Sequence, residues 1–387
     1  MSSVINTTSS STSIQIETVA GARSLREFVT FPFARYRGDL LWVPPLIEER
    51  LDFLNPRKNP FFEHAQVALF LARRGGVVVG TISAAIDENY AAFHGERMAT
   101  FGFFETIDDA EVAAHLLATA EAYAREQGAT VMRGPLSFST NHELGLLIEG
   151  FDTSPMVMMT YNPPSYAALI EGCGYHKAID LLAYIADLDE RWNNADRGIV
   201  RVAQKAVRKA GVRIRPANIR HFDQEVQRIK SIYQRAWVRN WGFVPLTDKE
   251  ADYLAASLKP VIDPDLVFIA ETDDGTPVGM SIALPDLHQA LRWSGGGSMF
   301  PFGLLKFLWH RRRINQFRLW GMGVIEEYRS QGIDAVFHVE TTRAALAKGY
   351  RHAEASWVLE TNTMMIRILE HLGLQRYKTY RVYEKSL

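Results

Sequence analysis

Apolar positions recur with helical or alternating spacing along most of this chain, and they divide it into two runs of elements in similar order. In the second run, 212–217 reads as a strand, 222–237 as a helix with apolar Val226, Ile229, Ile232 and Tyr233, and 248–258 as another helix. Strands over 266–272 and 277–284 should form a hairpin across Asp273-Asp274-Gly275-Thr276, because Asp-Gly favours tight hairpin turns. The stretch 317–324 is a further strand, 333–350 an amphipathic helix, 352–360 a buried strand, 361–372 a short helix, and 373–387 one or two tyrosine-rich strands. The first run opens with a strand over 14–19, a hairpin of 66–73 and 77–85 across Arg74-Gly75-Gly76, and a strand over 98–104. A helix over 110–127 follows, with Val112, Leu116, Leu117, Ala120 and Tyr123 on one face, and then a strand over 130–134. Asn162-Pro163-Pro164-Ser165-Tyr166 starts a helix that ends at 172–174.

A length of 387 residues fits two domains, and 47% apolar with 22% charged residues supports sizeable cores and excludes a disordered or fibrous chain. The expected division is a flexible Ser/Thr-rich tail at 1–13, a first domain at 14–186, a linker helix at 187–211 and a second domain at 212–387. The linker carries Arg197, Arg201, Lys205, Arg208 and Lys209. Those cations suit tRNA or lipid headgroups, but a solvated helix face is favoured. A net charge of −1 gives no general pull toward nucleic acid or an anionic membrane. The single Cys173 permits no internal disulfide and reads as a buried, inert thiol of a reducing compartment. The tail has no signal-peptide pattern, and no run reaches the ~18–20 apolar residues of a membrane span, so a cytoplasmic location is expected.

Four stretches carry candidate chemistry. Arg329-Ser330-Gln331-Gly332-Ile333-Asp334 lies between a strand and a helix start, where unpaired N–H groups and the helix dipole attract an anion. Gly332 allows close backbone approach and Arg329 supplies a cation, which is what a pyrophosphate needs. The matching loop of the first half, Glu105-Thr106-Ile107-Asp108-Asp109, has three carboxylates and no glycine, so it should repel a pyrophosphate, with Asp108 or Asp109 capping the next helix. Between 133 and 143, Asn141, His142 and Glu143 follow three hydroxyl residues; proton transfer is one reading, and capping of a short helix by Ser139, Thr140 or Asn141 is favoured. Met156, Met158 and Met159 read as adaptable core. The insertion 300–313 joins Phe300, Phe302, Leu304, Leu305, Phe307, Leu308 and Trp309 to three arginines. It suits a helix lying on a membrane or covering an acyl chain, and equally a helix packed on the sheet with cations at its C-terminus.

The order of elements over 212–387, with Arg329 and Gly332 in the phosphate loop, resembles the GCN5-related N-acetyltransferase (GNAT) superfamily, whose loop reads Gln or Arg, two residues, Gly, one residue, Gly or Ala. Asp334 departs from that pattern; two like charges ~4 Å apart near a surface repel by ~4 kcal/mol, so its carboxylate should face away from phosphates. Asn362 and Gly373-Leu374 match a later family pattern, and Leu369 stands where many members carry a tyrosine acid. The resemblance implies an α/β (α+β) architecture of tandem GNAT-like acyl-CoA N-acyltransferase folds, each a mixed, mostly antiparallel sheet flanked by helices. It also implies direct attack of an amine on an acyl-coenzyme A thioester, without metal. The thioester would lie beside Met322, Gly323 and Val324, and the cofactor loop would comprise Arg329, Ser330, Gln331, Gly332, Ile333 and Asp334, with Asn362 nearby. Asp286 and Glu360 are the candidate bases at strand ends. Asn240 and Trp241 form the acceptor wall, and Asn141 and His142 join it if the first half shapes the cleft.

Across its whole length the chain is similar to bacterial two-domain GNAT-like acyltransferases, some of them linked to ceramide synthesis. Trp42-Val43-Pro44-Pro45-Leu46, Asn59-Pro60-Phe61-Phe62, Arg133-Gly134-Pro135 and Asn240-Trp241-Gly242-Phe243 carry the likeness, together with Tyr328-Arg329-Ser330-Gln331-Gly332-Ile333-Asp334. The expected activity is transfer of an acyl group from acetyl-CoA or a longer acyl-CoA to a small or lipidic amine, with peripheral membrane contact through 300–313 and no nucleic acid partner. The competing expectations are an aminoacyl-tRNA-dependent transferase and a non-catalytic acyl-CoA sensor.

Overall fold

The computed structural model describes residues 13–189, 192, 198–209 and 211–387, with the backbone alone at 206–209. The expected tail, apart from Ser13, and Arg197 of the expected linker lie outside the described residues, as do the side chains of Arg208 and Lys209.

The first half builds β1 (Ile14–Thr18), α1 (Ala22–Arg35), α2 (Ile47–Phe53), β2 (Ala65–Arg74), β3 (Val77–Asp87), α3 (Glu88–His94), β4 (Met98–Thr106), α4 (Ala110–Glu126), β5 (Val131–Gly134), β6 (Leu146–Glu149), α5 (Tyr166–Gly172) and β7 (His176–Asp187). Positive φ at both Gly75 and Gly76 closes the β2–β3 hairpin in the geometry that matches strand twist. Asp109 accepts from the N–H groups of Glu111 and Val112 and so caps α4, whose Val112, Leu116, Leu117 and Ala120 are buried against the sheet.

After α6 (Gly198–Lys209), the second half repeats the scheme with β8 (Val212–Pro216), α7 (Phe222–Ala236), α8 (Asp248–Leu258), β9 (Val267–Thr272), β10 (Pro277–Pro285), α9 (His288–Leu291), α10 (Gly303–Arg311), β11 (Gln316–Val324), α11 (Ile333–Ala347), β12 (His352–Leu359), α12 (Thr363–Leu372) and β13 (Gln375–Ser386). The α6 helix lies within the expected linker, Asp187 belongs to β7, and Ala203 packs against Ala335 and Val336 of α11.

All strands join one 13-stranded sheet, in the order β1-β2-β3-β4-β5-β13-β7-β12-β11-β10-β9-β8, with β6 paired to β13. Two pairs are parallel, β4 with β5 and β11 with β12; the rest are antiparallel. The halves exchange their final strands. C-terminal β13 inserts between β5 and β7 of the first half, and β7 in turn pairs with β12 of the second.

Polar contacts also cross between halves. His64 Nδ1 lies 3.0 Å from Asp87 Oδ1, and Nε2 lies 3.2 Å from Glu250 Oε1 on α8. Burial alone would lower the His64 pKa, but the two carboxylates raise it from 6.5 to about 10. The His64 contribution to stability is therefore fully present below pH 6.5 and is lost as pH rises toward 10. Burial works against the Glu250 carboxylate, yet His64 and the Thr247 cap hold its pKa below the ordinary range, so its contribution is lost only on acidification. At about 1.4 kcal/mol per unit, discounted for solvent screening, the stability gap between wild type and His64→Gln should shrink by roughly 2–3 kcal/mol from pH 6 to pH 10. Urea unfolding at the two pH values measures it; a constant gap would mean that His64 is not charged in the fold.

Candidate active site

The cleft arises where β11 and β12 part. Their parallel pairing runs only from Gln316–His352 to Leu319–Ala355. Opposite Ile282 and Ala283 the register shifts, leaving Trp320 as an extra residue on β11, so Trp320 to Val324 follow β10 alone. Into this fork opens a cleft of about 350 Å³. Its floor is Trp320, Gly321 and Met322 on one side and Trp357 and Leu359 on the other. Its roof is the apolar face of α7 and α8, including Val226, Ile229, Leu254 and Leu258. Apolar side chains dominate the lining, as in most small-molecule sites.

Expected site residues meet here in part. Asn240, Trp241, Asn141, His142, Met322 and Asn362 all line the cleft. Asn141 and His142 arrive from the first half on a loop rather than on the expected short helix: 135–145 holds no helix, and Thr140 and Asn141 bond the second half instead. Thr140 Oγ1 donates to the Gly242 carbonyl, Asn141 Nδ2 to the Val244 carbonyl, and Tyr233 on α7 donates to Asn141 Oδ1. Glu143 pairs with Arg50 at 2.5 Å instead of completing a capping box. His142 bonds Ser139 Oγ through Nδ1 at 3.0 Å, and burial pushes its pKa down to about 4, so it is neutral at pH 7.

Gly321 and Gly323 leave room on β11 for a neighbouring helix. A Cβ on Gly321 would meet the Trp237 ring at 3.0 Å, and one on Gly323 would meet Ala236 at 3.1 Å, so these glycines let the end of α7 seat on β11. Val324 ends that strand. The loop beyond it turns through Ser330 (φ 59°) and Gly332 (φ 83°), and Gly332 is the left-handed N-cap of α11. Ile333 is buried beneath it, Asp334 stands in the first turn, and Gln331 donates to the Glu327 carbonyl. Arg329 folds back, donating to the carbonyls of Val324 (3.1 Å) and Ala236 (2.6 Å), so it holds the loop against β11 and α7. Backbone N–H groups of the first turn of α11 are then the donors left for an anion. Asn362 caps α12 by accepting from the Met365 N–H.

Neither expected base lines the cleft. Asp286 is buried at the end of β10 and accepts from the Val157 and His288 N–H groups; burial raises its pKa to about 7. Glu360 lies beyond β12, accepts from the Asp180 N–H at 3.0 Å and pairs with Lys177 at 2.6 Å. The cleft also contains a charge with no sequence expectation. Arg318 is 1% exposed, donates to Ser356 Oγ and to the carbonyls of Val157, Met158 and Ser356, and lies 3.6 Å from buried Glu354. Glu354 accepts from Ser356 and Tyr377. An arginine inside the apolar run 316–324 was the available signal. Leu369 is buried, and among the described residues no cluster could hold a metal ion.

No family model matches the chain. The protein named bacterial ceramide synthase from Caulobacter vibrioides (strain NA1000 / CB15N) is 40% identical over 373 residues, covering 94% of this chain and 95% of that protein. This chain belongs to the same family. Protein YghO of Escherichia coli (strain K12) is 38% identical over 378 residues, 96% of this chain and 95% of that protein. Among solved structures, a tandem GNAT protein from the clavulanic acid biosynthesis pathway superposes with a TM-score of 0.57 at 15% identity, covering 97% of this chain and 98% of that one. A GCN5-related N-acetyltransferase from Sphaerobacter thermophilus gives 0.51 at 14% identity over 96% and 95% of the two chains. The fold is thus the tandem GNAT fold.

Proposed function

We propose that this family member transfers an acyl group from acyl-CoA to an amine, and that the acyl chain or the acceptor is long and lipidic. The observation that carries this is the apolar cleft in the β11–β12 fork beneath α7 and α8. The open backbone N–H groups at the start of α11, with Gly332 in the left-handed conformation, suit the coenzyme pyrophosphate. The curated relative named for ceramide synthesis supports a lipidic substrate. The segments 14–186 and 212–387 then act as two GNAT-like units, the first contributing Asn141 and His142 to the cleft. At the matching loop of that first unit, Asp109 caps α4 and pairs with Arg74, which leaves no welcome for a phosphate. Of the residues expected to carry proton chemistry, His142 lines the cleft and Asp286 and Glu360 do not, and we assign His142 to orienting the acceptor rather than to taking its proton, since burial holds its pKa at about 4. The test is mass-spectrometric identification of the acyl-CoA that copurifies with the protein. Wild type should carry one, and an Arg329→Glu, Gly332→Trp double variant should carry none; a wild type that neither carries nor binds any acyl-CoA overturns the proposal.

Peripheral attachment to an anionic membrane belongs to the same reading. The α10 helix is pinned by buried Phe307, yet Phe300 (86%), Phe302 (68%), Leu305 (65%) and Trp309 (54%) are exposed, with Arg311, Arg312 and Arg313 following. An apolar ridge edged by cations is the composition of an interfacial helix. No helix among the described residues is long and apolar enough to cross a membrane. Changing Phe302, Leu305 and Trp309 to serine should lower cosedimentation with vesicles containing anionic lipid by at least ~10-fold, because each large side chain kept out of the bilayer forgoes ~1.5–3 kcal/mol. Unchanged cosedimentation would remove this role from 300–313.

A further inference from the structure

The internal repeat extends to the cavities. Just as the cleft lies between α7, α8 and the bulged β11, a second cavity of about 180 Å³ lies between α1, α2 and the bulged β4. Phe28, Val29 and Pro32 of α1 and Arg50 of α2 face Phe103, Phe104 and Glu105 of β4. The two spaces differ in chemistry. Where the cleft is apolar, this cavity holds a carboxylate.

Glu105 accepts from the Tyr36 hydroxyl (2.8 Å) and the Tyr166 hydroxyl (2.9 Å), both on Oε2. Its Oε1 has no hydrogen-bond partner among the described residues, and Glu105 forms part of the cavity wall. Arg35 is near but is otherwise engaged: its Nε donates to the Thr106 carbonyl, and its guanidinium stacks 5.9 Å over the rings of Tyr36 and Tyr166. Arg50 and Glu143, also in the wall, pair with each other. His288 donates through Nδ1 to the Pro155 carbonyl (2.9 Å), which leaves Nε2 an acceptor. The wall therefore has a net charge of one negative, from Glu105, and its remaining surface includes the aromatic rings of Trp42, Phe103, Phe104 and Tyr161.

A carboxylate oxygen without a partner, a second acceptor and several aromatic faces complement a donor-rich cation. We propose that this cavity is a binding site for a small primary ammonium ion with an apolar body, separate from the acyl-transfer cleft. Its size supports that class, since an apolar cavity of about 150 Å³ takes up benzene. Burial raises the Glu105 pKa to about 7, a rise that the Tyr36 and Tyr166 hydroxyls and the nearby Arg35 charge offset only in part. The two sites share one loop: Ser137, Glu143 and Gly145 line the cavity, while Thr140, Asn141 and His142 line the cleft. An occupant of the cavity thus bears on the loop that presents His142.

Benzylammonium and benzyl alcohol, titrated calorimetrically into the full-length protein at pH 8 with saturating acetyl-CoA present, distinguish the possibilities. The ammonium ion should bind at least tenfold more tightly than the alcohol, and Glu105→Gln should abolish that preference. Val43→Phe, which fills the cavity from a loop outside the sheet, should abolish binding of both probes while acetyl-CoA affinity stays within twofold. Equal affinity for the two probes, an ammonium affinity unchanged in Glu105→Gln or in Val43→Phe, or no detectable binding would each overturn the assignment. The comparison of probes on wild type keeps the test decisive even if Glu105→Gln does not fold.

Discussion

Replacing Glu354 by leucine is expected to destabilise the chain by about 3–5 kcal/mol, because the substitution leaves the Arg318 guanidinium buried without its counter-charge. Arg318 and Glu354 are register partners across the parallel pair β11–β12, at the point where the two strands begin to part. Neither side chain reaches solvent. The arginine retains carbonyl acceptors at Val157, Met158 and Ser356, but these are neutral, and Tyr377 and Ser356 each lose the carboxylate they donate to. Removing both charges in an Arg318→Met, Glu354→Leu double variant should recover the part of the loss that comes from the unpaired charge, while the Tyr377 hydroxyl and the carbonyls of Val157, Met158 and Ser356 still lose their partners. Urea unfolding of the three proteins measures the cycle. A single variant within 1 kcal/mol of wild type would show that water, rather than the carboxylate, satisfies Arg318.

That pair also marks the boundary of what sequence patterning can deliver. Local signals placed most of the second half: the Asp-Gly turn gave the β9–β10 hairpin, and apolar spacing placed α7 and α8. The strand–loop–helix arrangement around Gly332 was legible because its three parts are adjacent in the chain. By contrast, α1 begins at Gly21 with no side-chain cap and contains Pro32, so neither its start signal nor its interior reads as a helix. The exchange of β7 and β13 between halves depends on pairings across some 200 residues, which periodicity does not encode. Each charge of the Arg318–Glu354 pair stands alone in an apolar run, and only the β11–β12 register joins them. The polar stretch 137–143 misled for a related reason: its hydroxyls and amide are capping residues by type, but the opposite half of the molecule supplies the partners of Thr140 and Asn141.

If the cleft seats the acyl chain as proposed, acyl-chain length is the property most open to change by a single substitution. Ala255 lies on α8 within the roof, facing the fork rather than a packed layer, so a larger side chain there occupies cleft space without overpacking the core. Ala255→Trp should reduce kcat/KM for a long-chain acyl-CoA by about 50-fold or more while changing that for acetyl-CoA by less than threefold. The magnitude follows from burial: expelling three methylenes from an apolar wall forfeits about 2.4 kcal/mol at 0.8 kcal/mol each, and 1.4 kcal/mol is a tenfold change in rate. Acetyl-CoA has no such methylenes to lose, and the start of α11 and Gly332 are untouched by the substitution. Steady-state kinetics with acyl-CoA substrates of increasing length and one fixed amine acceptor should show wild type and variant diverging beyond a particular chain length. Parallel losses at every length would mean that the tryptophan disturbs the acceptor or the thioester instead, and that the acyl chain runs along a different wall than α8.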